Sequence, residues 1–165
     1  MSEGIIIANV EKVPYEHIDM NNLRDPGGFH NHKYAFDRHK VSTPAEGGKL
    51  FVQVYSIPPG CSNYPYHYHT RSEEVFYIIS GRGKLETPDG PRAVGEGDII
   101  VMPVGEKGAH MLHNTGDSPL VYLDIDGTRD GDMAFYPRSG KFGTTMDGKW
   151  RTFRQNGEVN YLDGE

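Results

Sequence analysis

The chain has 165 residues and a net charge of −6 at pH 7, enough length for one domain with a real core. Its single cysteine excludes an internal disulfide framework, and no basic run or basic helix suits a nucleic acid. The 21 glycines and 11 prolines favour short strands and turns over long helices.

In chain order, the first apolar stretch is Ile5 to Ala8. It is too short for a signal-peptide core, and no later stretch is long enough to span a membrane. A cytoplasmic protein is therefore expected. Residues 1–45 read as an arm packed over the body, with one or two edge strands and a turn at Asp25-Pro26-Gly27-Gly28. Residues 46–127 are the dense β region. Runs at 49–57, 74–79, 83–87, 98–102, 109–114 and 119–125 alternate or are rich in β-branched and aromatic residues. Gly- and Pro-containing turns separate them, which suggests an all-β barrel or sandwich. Residues 128–165 are polar and Gly-rich and read as an irregular extension that wraps the surface or a partner.

The stretch from His67 to Gly81 carries the chemistry. Side chains on a strand alternate faces, so His67 and His69 project together. Glu74 shares the parity of Phe76 and Ile78 and is expected to point inward with them. Val75, Tyr77 and Ile79 then form an apolar outer face, to be covered by the arm or by a second subunit, and a homodimer is expected. On the later strand His110, Leu112 and Asn114 share a face and His113 takes the other, which selects His110 as a fourth ligand. Three imidazoles and a carboxylate suit a divalent iron, manganese, nickel, zinc or copper ion. Open positions on such an ion would admit substrate, water or dioxygen.

These segments resemble the two motifs of the cupin superfamily. The first is Gly60, His67-x-His69, Glu74 and Gly81; the second is Gly97, Pro103-x-Gly105, His110 and Asn114. The chain has one residue more than the family pattern before His67 and two more between Gly105 and His110. The resemblance implies a double-stranded β-helix, or jelly-roll barrel, over residues 46–127. It also implies a metal site at His67, His69, Glu74 and His110. The run GEKGAH is similar to a group of small single-domain bacterial cupins, some labelled as sugar-phosphate isomerases. The superfamily spans many reactions, so the fold alone does not select one.

Further residues are weighed by parity and context. Glu86 and Asp124 are the candidate proton carriers. Gln53, Tyr55, Lys84, Tyr122 and the loop residue Tyr64 are candidates to line the pocket. Tyr66 and Tyr68 should face away from the metal. Arg138 and Lys141 read as solvated surface more than as an anion clamp. His30 and His32 repeat the His-x-His spacing, but no carboxylate strand follows them. Cys61 reads as structural. The resulting expectation is a metal-dependent enzyme acting on a small polar molecule (a sugar, sugar-phosphate or oxo-acid), through isomerase, epimerase or dioxygenase chemistry. The alternative is a cupin that binds or senses a small molecule without turnover.

Overall fold

The structure is a computed structural model that describes residues 6–20, 33–42, 49–127 and 130–164. His30 and His32 lie outside the described residues. The described residues form strands and short 3-10 turns, with no α-helix among them, in line with the Gly- and Pro-rich composition. None of their helices is long and apolar enough to cross a membrane.

The main sheet is built on β3 (Leu50–Ile57), β6 (Glu74–Ser80) and β11 (Leu120–Gly127). β11 lies between β3 and β6 and is antiparallel to both. β9 (Ile99–Met102) closes one end of this sheet. The other end runs from β2 (Lys33–Ser42) through β4 (Cys61–Ser62), β10 (Met111–Asn114) and β7 (Arg82–Thr87) to β8 (Gly90–Gly95). β1 (Tyr15–Asp19) pairs with β2 beside this path. A smaller sheet orders β14 (Lys149–Arg154), β13 (Lys141–Met146), β12 (Met133–Tyr136) and β5 (Tyr68–His69).

Two expectations are corrected here. The arm contributes more than edge strands: β2 sits inside the main sheet, parallel to β4 and antiparallel to β3. Residues 130–154 are not irregular. They form a three-stranded antiparallel unit whose first strand pairs with β5 at Ala134–His69 and Phe135–Tyr68.

Alternation sets the core. On β6, Glu74, Phe76 and Ile78 are buried while Tyr77 and Ile79 are exposed, as the parity predicts. On β11, Leu120, Tyr122 and Asp124 are buried. Register places Tyr122 opposite Tyr55 and Ile78, and Asp124 opposite Gln53 and Phe76. Tyr55 and Tyr122 stack at 5.1 Å, and Phe36, Ile57, Leu85, Leu112 and Leu120 complete the packed end. Each such side chain stabilises the fold by about 1.5–3 kcal/mol on burial. Along β6 the inward side chains pass from Ile78 to Glu74, and along β11 from Leu120 to Asp126. The barrel is therefore apolar at one end and polar at the other. Gly81, at φ +87°, turns β6 into β7, where a Cβ would lie 2.6 Å from the Pro119 carbonyl oxygen; only glycine fits both limits.

Candidate metal centre

At the polar end, His67 and His110 face each other across a single antiparallel bridge. Each backbone N–H donates to the other's carbonyl, at 3.1 Å and 2.8 Å. Residues so paired project to the same side, and their rings lie 4.8 Å apart. The His69 ring is 5.3 Å from that of His67. One ligand atom each from His67, His69 and Glu74 lie within 4.8 Å of one another. His110 Nε2 lies 3.3 Å from Glu74 Oε2. His113 takes the opposite face, with its Nδ1 3.0 Å from Ser62 Oγ.

Each imidazole is held from behind. His67 Nδ1 donates to the Pro65 carbonyl at 2.8 Å, and His110 Nδ1 to the Gly108 carbonyl at 2.9 Å. His69 Nδ1 lies 2.6 Å from Asp132 Oδ2. A carbonyl can only accept, so the first two tautomers are fixed and Nε2 is left as the free lone pair. The two extra residues before His110 are absorbed by a 3-10 turn over Glu106–Gly108. A Cβ on Gly108 would lie 1.7 Å from the Pro103 carbonyl oxygen.

The electrostatics favour a cation. Burial and the neighbouring His110 ring push His67 down to about 3, so it is neutral. Burial would raise Glu74, but His110, His67 and His69 outweigh it and hold the carboxyl below its usual range. Burial also opposes a charge on His69, yet the hydrogen bond it donates to Asp132 carries it up to about 9. Asp132 in turn sits at about 2, its own burial outweighed by that bond. His110 Nε2 is buried with no hydrogen-bond partner, 3.3 Å from Glu74 Oε2. A buried nitrogen without a partner, beside a carboxylate and two further imidazoles, offers donors of the kind that a divalent transition-metal ion takes.

His67, His69 and Glu74 line a cavity of about 450 Å³. The barrel contributes Gln53, Tyr55, Tyr64, Asp124 and Asp126 to its wall; β2 contributes Arg38 and Lys40; the C-terminal strands contribute Ala134, Tyr136 and Trp150. Asp124 and Asp126 each keep one buried carboxylate oxygen without a partner. Burial, then the charge of Glu74, pushes Asp124 well above its usual range and Asp126 up to about 7.

Of the residues expected at the pocket, Gln53, Tyr55, Tyr64 and Asp124 line the same cavity as His67, His69 and Glu74. Tyr122 does not line the cavity; it lies beneath, in the core, accepting from Asn63 Nδ2 at 3.1 Å. Glu86 and Lys84 are on the other face of β7 from the core residue Leu85. Glu86 is held there by Arg138 at 2.5 Å and Lys84 at 3.2 Å. Arg138 also covers the Tyr66 ring at 4.2 Å, and Tyr68 stacks on Phe135 at 5.4 Å; both tyrosines face away from the histidines. Cys61 is buried in the core. Sequence reasoning missed Arg38, Lys40, Asp126, Asp132, Tyr136 and Trp150. Only Asp126 carried a signal, since it shares the parity of Asp124.

Comparison with known proteins agrees with the fold. Residues 53–126 match the family described as Cupin domain. The chain is 37% identical over 78 residues to the uncharacterized protein MJ1618 of Methanocaldococcus jannaschii, a match spanning 47% of this chain and 60% of that one. It is 25% identical over 122 residues to the oxalate-binding protein of Thermotoga maritima, spanning 74% of this chain and 93% of the relative. Among solved structures it superposes on a protein of Acidithiobacillus ferrooxidans named provisionally as a sugar phosphate isomerase. That match has a TM-score of 0.68 and 25% identity, covering 76% of this chain and 80% of that one. A cupin-superfamily sugar phosphate isomerase structure from Silicibacter pomeroyi gives a TM-score of 0.68 at 19% identity, covering 78% and 82%, and this supports the fold alone. The expected all-β cupin architecture is borne out.

Proposed function

Taking residues 53–126 as a cupin domain, we propose that it is a metal-dependent enzyme acting on a small oxygen-rich molecule. In this reading His67, His69, Glu74 and His110 hold a divalent ion. The observation that carries it is the buried, partnerless His110 Nε2 aimed beside Glu74. A bound ion would supply Lewis-acid stabilisation of developing charge on a substrate oxygen.

The chain's own residues would do the rest. Asp124, buried and raised, holds a proton; Asp126, near 7, can take one up or give it back. Two carboxyl groups poised this way suit the proton transfers of an isomerase or epimerase better than dioxygenase chemistry, which needs no such pair. Glu86, held by Arg138 and Lys84 outside the cavity, has no part in this reading. The Acidithiobacillus ferrooxidans neighbour named provisionally for sugar phosphates makes those the first substrates to try. The reading includes a homodimer formed over the outer face of β6 and β9, where Tyr77, Ile99 and Val101 are exposed, and a cytoplasmic protein.

A second reading is a binder without turnover, favoured by the match along 93% of the oxalate-binding relative. One experiment separates the two. Anaerobically purified protein is analysed for metal, then assayed with a panel of sugar phosphates and with oxalate. A near-stoichiometric ion with turnover supports the enzyme. Oxalate binding without turnover on any substrate supports the binder. No ion, even after reconstitution, removes the metal from both.

A further inference from the structure

We infer that Arg38 and Lys40 form an anion-recognition subsite on the β2 wall of the same cavity. It would take a carboxylate or phosphate group of the substrate, and Glu16 would be its intramolecular occupant. The inference rests on the reading of the cavity as a substrate site, but not on the metal.

Arg38 and Lys40 are two apart on β2 and so share a face. Register sets them opposite Tyr55 and Gln53, and both line the cavity. They grip a single carboxylate from its two sides: Arg38 Nη2 is 2.7 Å from Glu16 Oε2, and Lys40 Nζ is 2.9 Å from Glu16 Oε1. That is how a guanidinium and an ammonium recognise a substrate anion. Glu16 is a weakly held occupant. Its side chain is 50% exposed, and among the described residues its strand β1 pairs only with β2.

The Arg38 side chain is only 20% exposed, and its Nε–H is buried with no partner, a donor left idle. Its Nη1 donates to Tyr64 Oη at 3.4 Å, and the Tyr64 ring meets His67 edge-on at 6.3 Å between centroids. One tyrosine therefore links the cation pair to the candidate metal ligands. A small molecule whose oxygens reach the histidines can place an anionic end on Arg38 and Lys40. The carboxyl groups of the wall are Glu74, Asp124 and Asp126. Among the described lining residues, these two are the only Arg and Lys side chains.

The test uses the full chain, stripped of metal by chelation, titrated calorimetrically with inorganic phosphate and, separately, with acetate. Glu16→Gln should bind one or both about tenfold more tightly than wild type, since a competing carboxylate is gone. The stronger arm tells phosphate from carboxylate. Adding Lys40→Met, at a half-exposed position chosen to spare the fold, should abolish the gain, with thermal unfolding as the check on folding. Neither anion binding to Glu16→Gln, or a gain that survives Lys40→Met, overturns the inference. Metal titration of the same proteins is read independently. Intact metal binding without anion binding sinks only the subsite, and the reverse sinks only the metal reading.

Discussion

Asp132 Oδ2 lies 2.6 Å from His69 Nδ1 and so ties the C-terminal strands to the candidate metal face of the barrel. The other oxygen accepts from the Arg71 backbone N–H at 2.8 Å and from Thr70 Oγ1 at 3.1 Å. His67 and His110 lean on backbone carbonyls instead. A carboxylate behind an imidazole fixes the ring and raises its basicity toward a metal, and losing it typically costs 10–100-fold in affinity. Asp132→Asn, which keeps the shape, should therefore weaken divalent-ion binding by about 10–100-fold while the circular dichroism spectrum is unchanged. Chelator competition measures it; equal affinity in the two proteins would show that His69 does not depend on Asp132.

The two histidines of the second motif should separate cleanly. His110 is buried beside Glu74, and His113 points the other way toward Ser62. His110→Ala should lose most of the bound metal, and His113→Ala should keep it. Elemental analysis of both variants decides, and similar metal content in the two would refute the assignment of His110.

Parity made much of this legible before any coordinates. Glu74, Phe76 and Ile78 point inward together, as do His110, Leu112 and Asn114, because one buried face fixes strand register. Glu86 shows the limit of parity. It alternates with Leu85 as a pocket residue would, but Leu85 takes the core side. Asp132 was invisible because 63 residues separate it from His69 and only the β5–β12 pairing joins them. β14 is exposed along its whole length, so no apolar alternation marked it. Its one signal was Asp147-Gly148, where φ is +52° and +69° between the paired Met146 and Lys149. Asp-Gly in a two-residue hairpin turn is a strong local cue, and it marks the extension as ordered.

Asp126 gives a pH signature. Burial, then the charge of Glu74, lifts it to about 7, with His69 pulling it down and Asp132 adding to the rise. Its folded value thus exceeds the ordinary 3.8 of the unfolded chain. Below that ordinary value both states are protonated and nothing is lost. As pH rises through the folded value, ionising the buried carboxyl removes stability. In chelator-treated protein, Asp126→Asn should be near neutral at about pH 4 and stabilising at about pH 8, on the order of 3 kcal/mol. Thermal unfolding across that range tests it, and a difference that does not change with pH would sink the idea.

Gly108 links the turn chemistry of the second motif to the site. A Cβ there would sit 1.7 Å from the Pro103 carbonyl oxygen, a backbone atom that cannot swing aside. The Gly108 carbonyl is also the acceptor that orients His110 through Nδ1 at 2.9 Å. Gly108→Ala must therefore push the Glu106–Gly108 turn off Pro103 and carry the His110 anchor with it. The expected cost is about 2–3 kcal/mol, in the range of overpacked sites, together with weaker metal binding. Gly157→Ala is the control, because nothing lies within 4 Å of its Cβ position. Melting temperature and metal affinity should fall together for Gly108→Ala and hold for Gly157→Ala. A drop in stability with undiminished metal affinity would mean that His110 keeps its place without the Gly108 carbonyl.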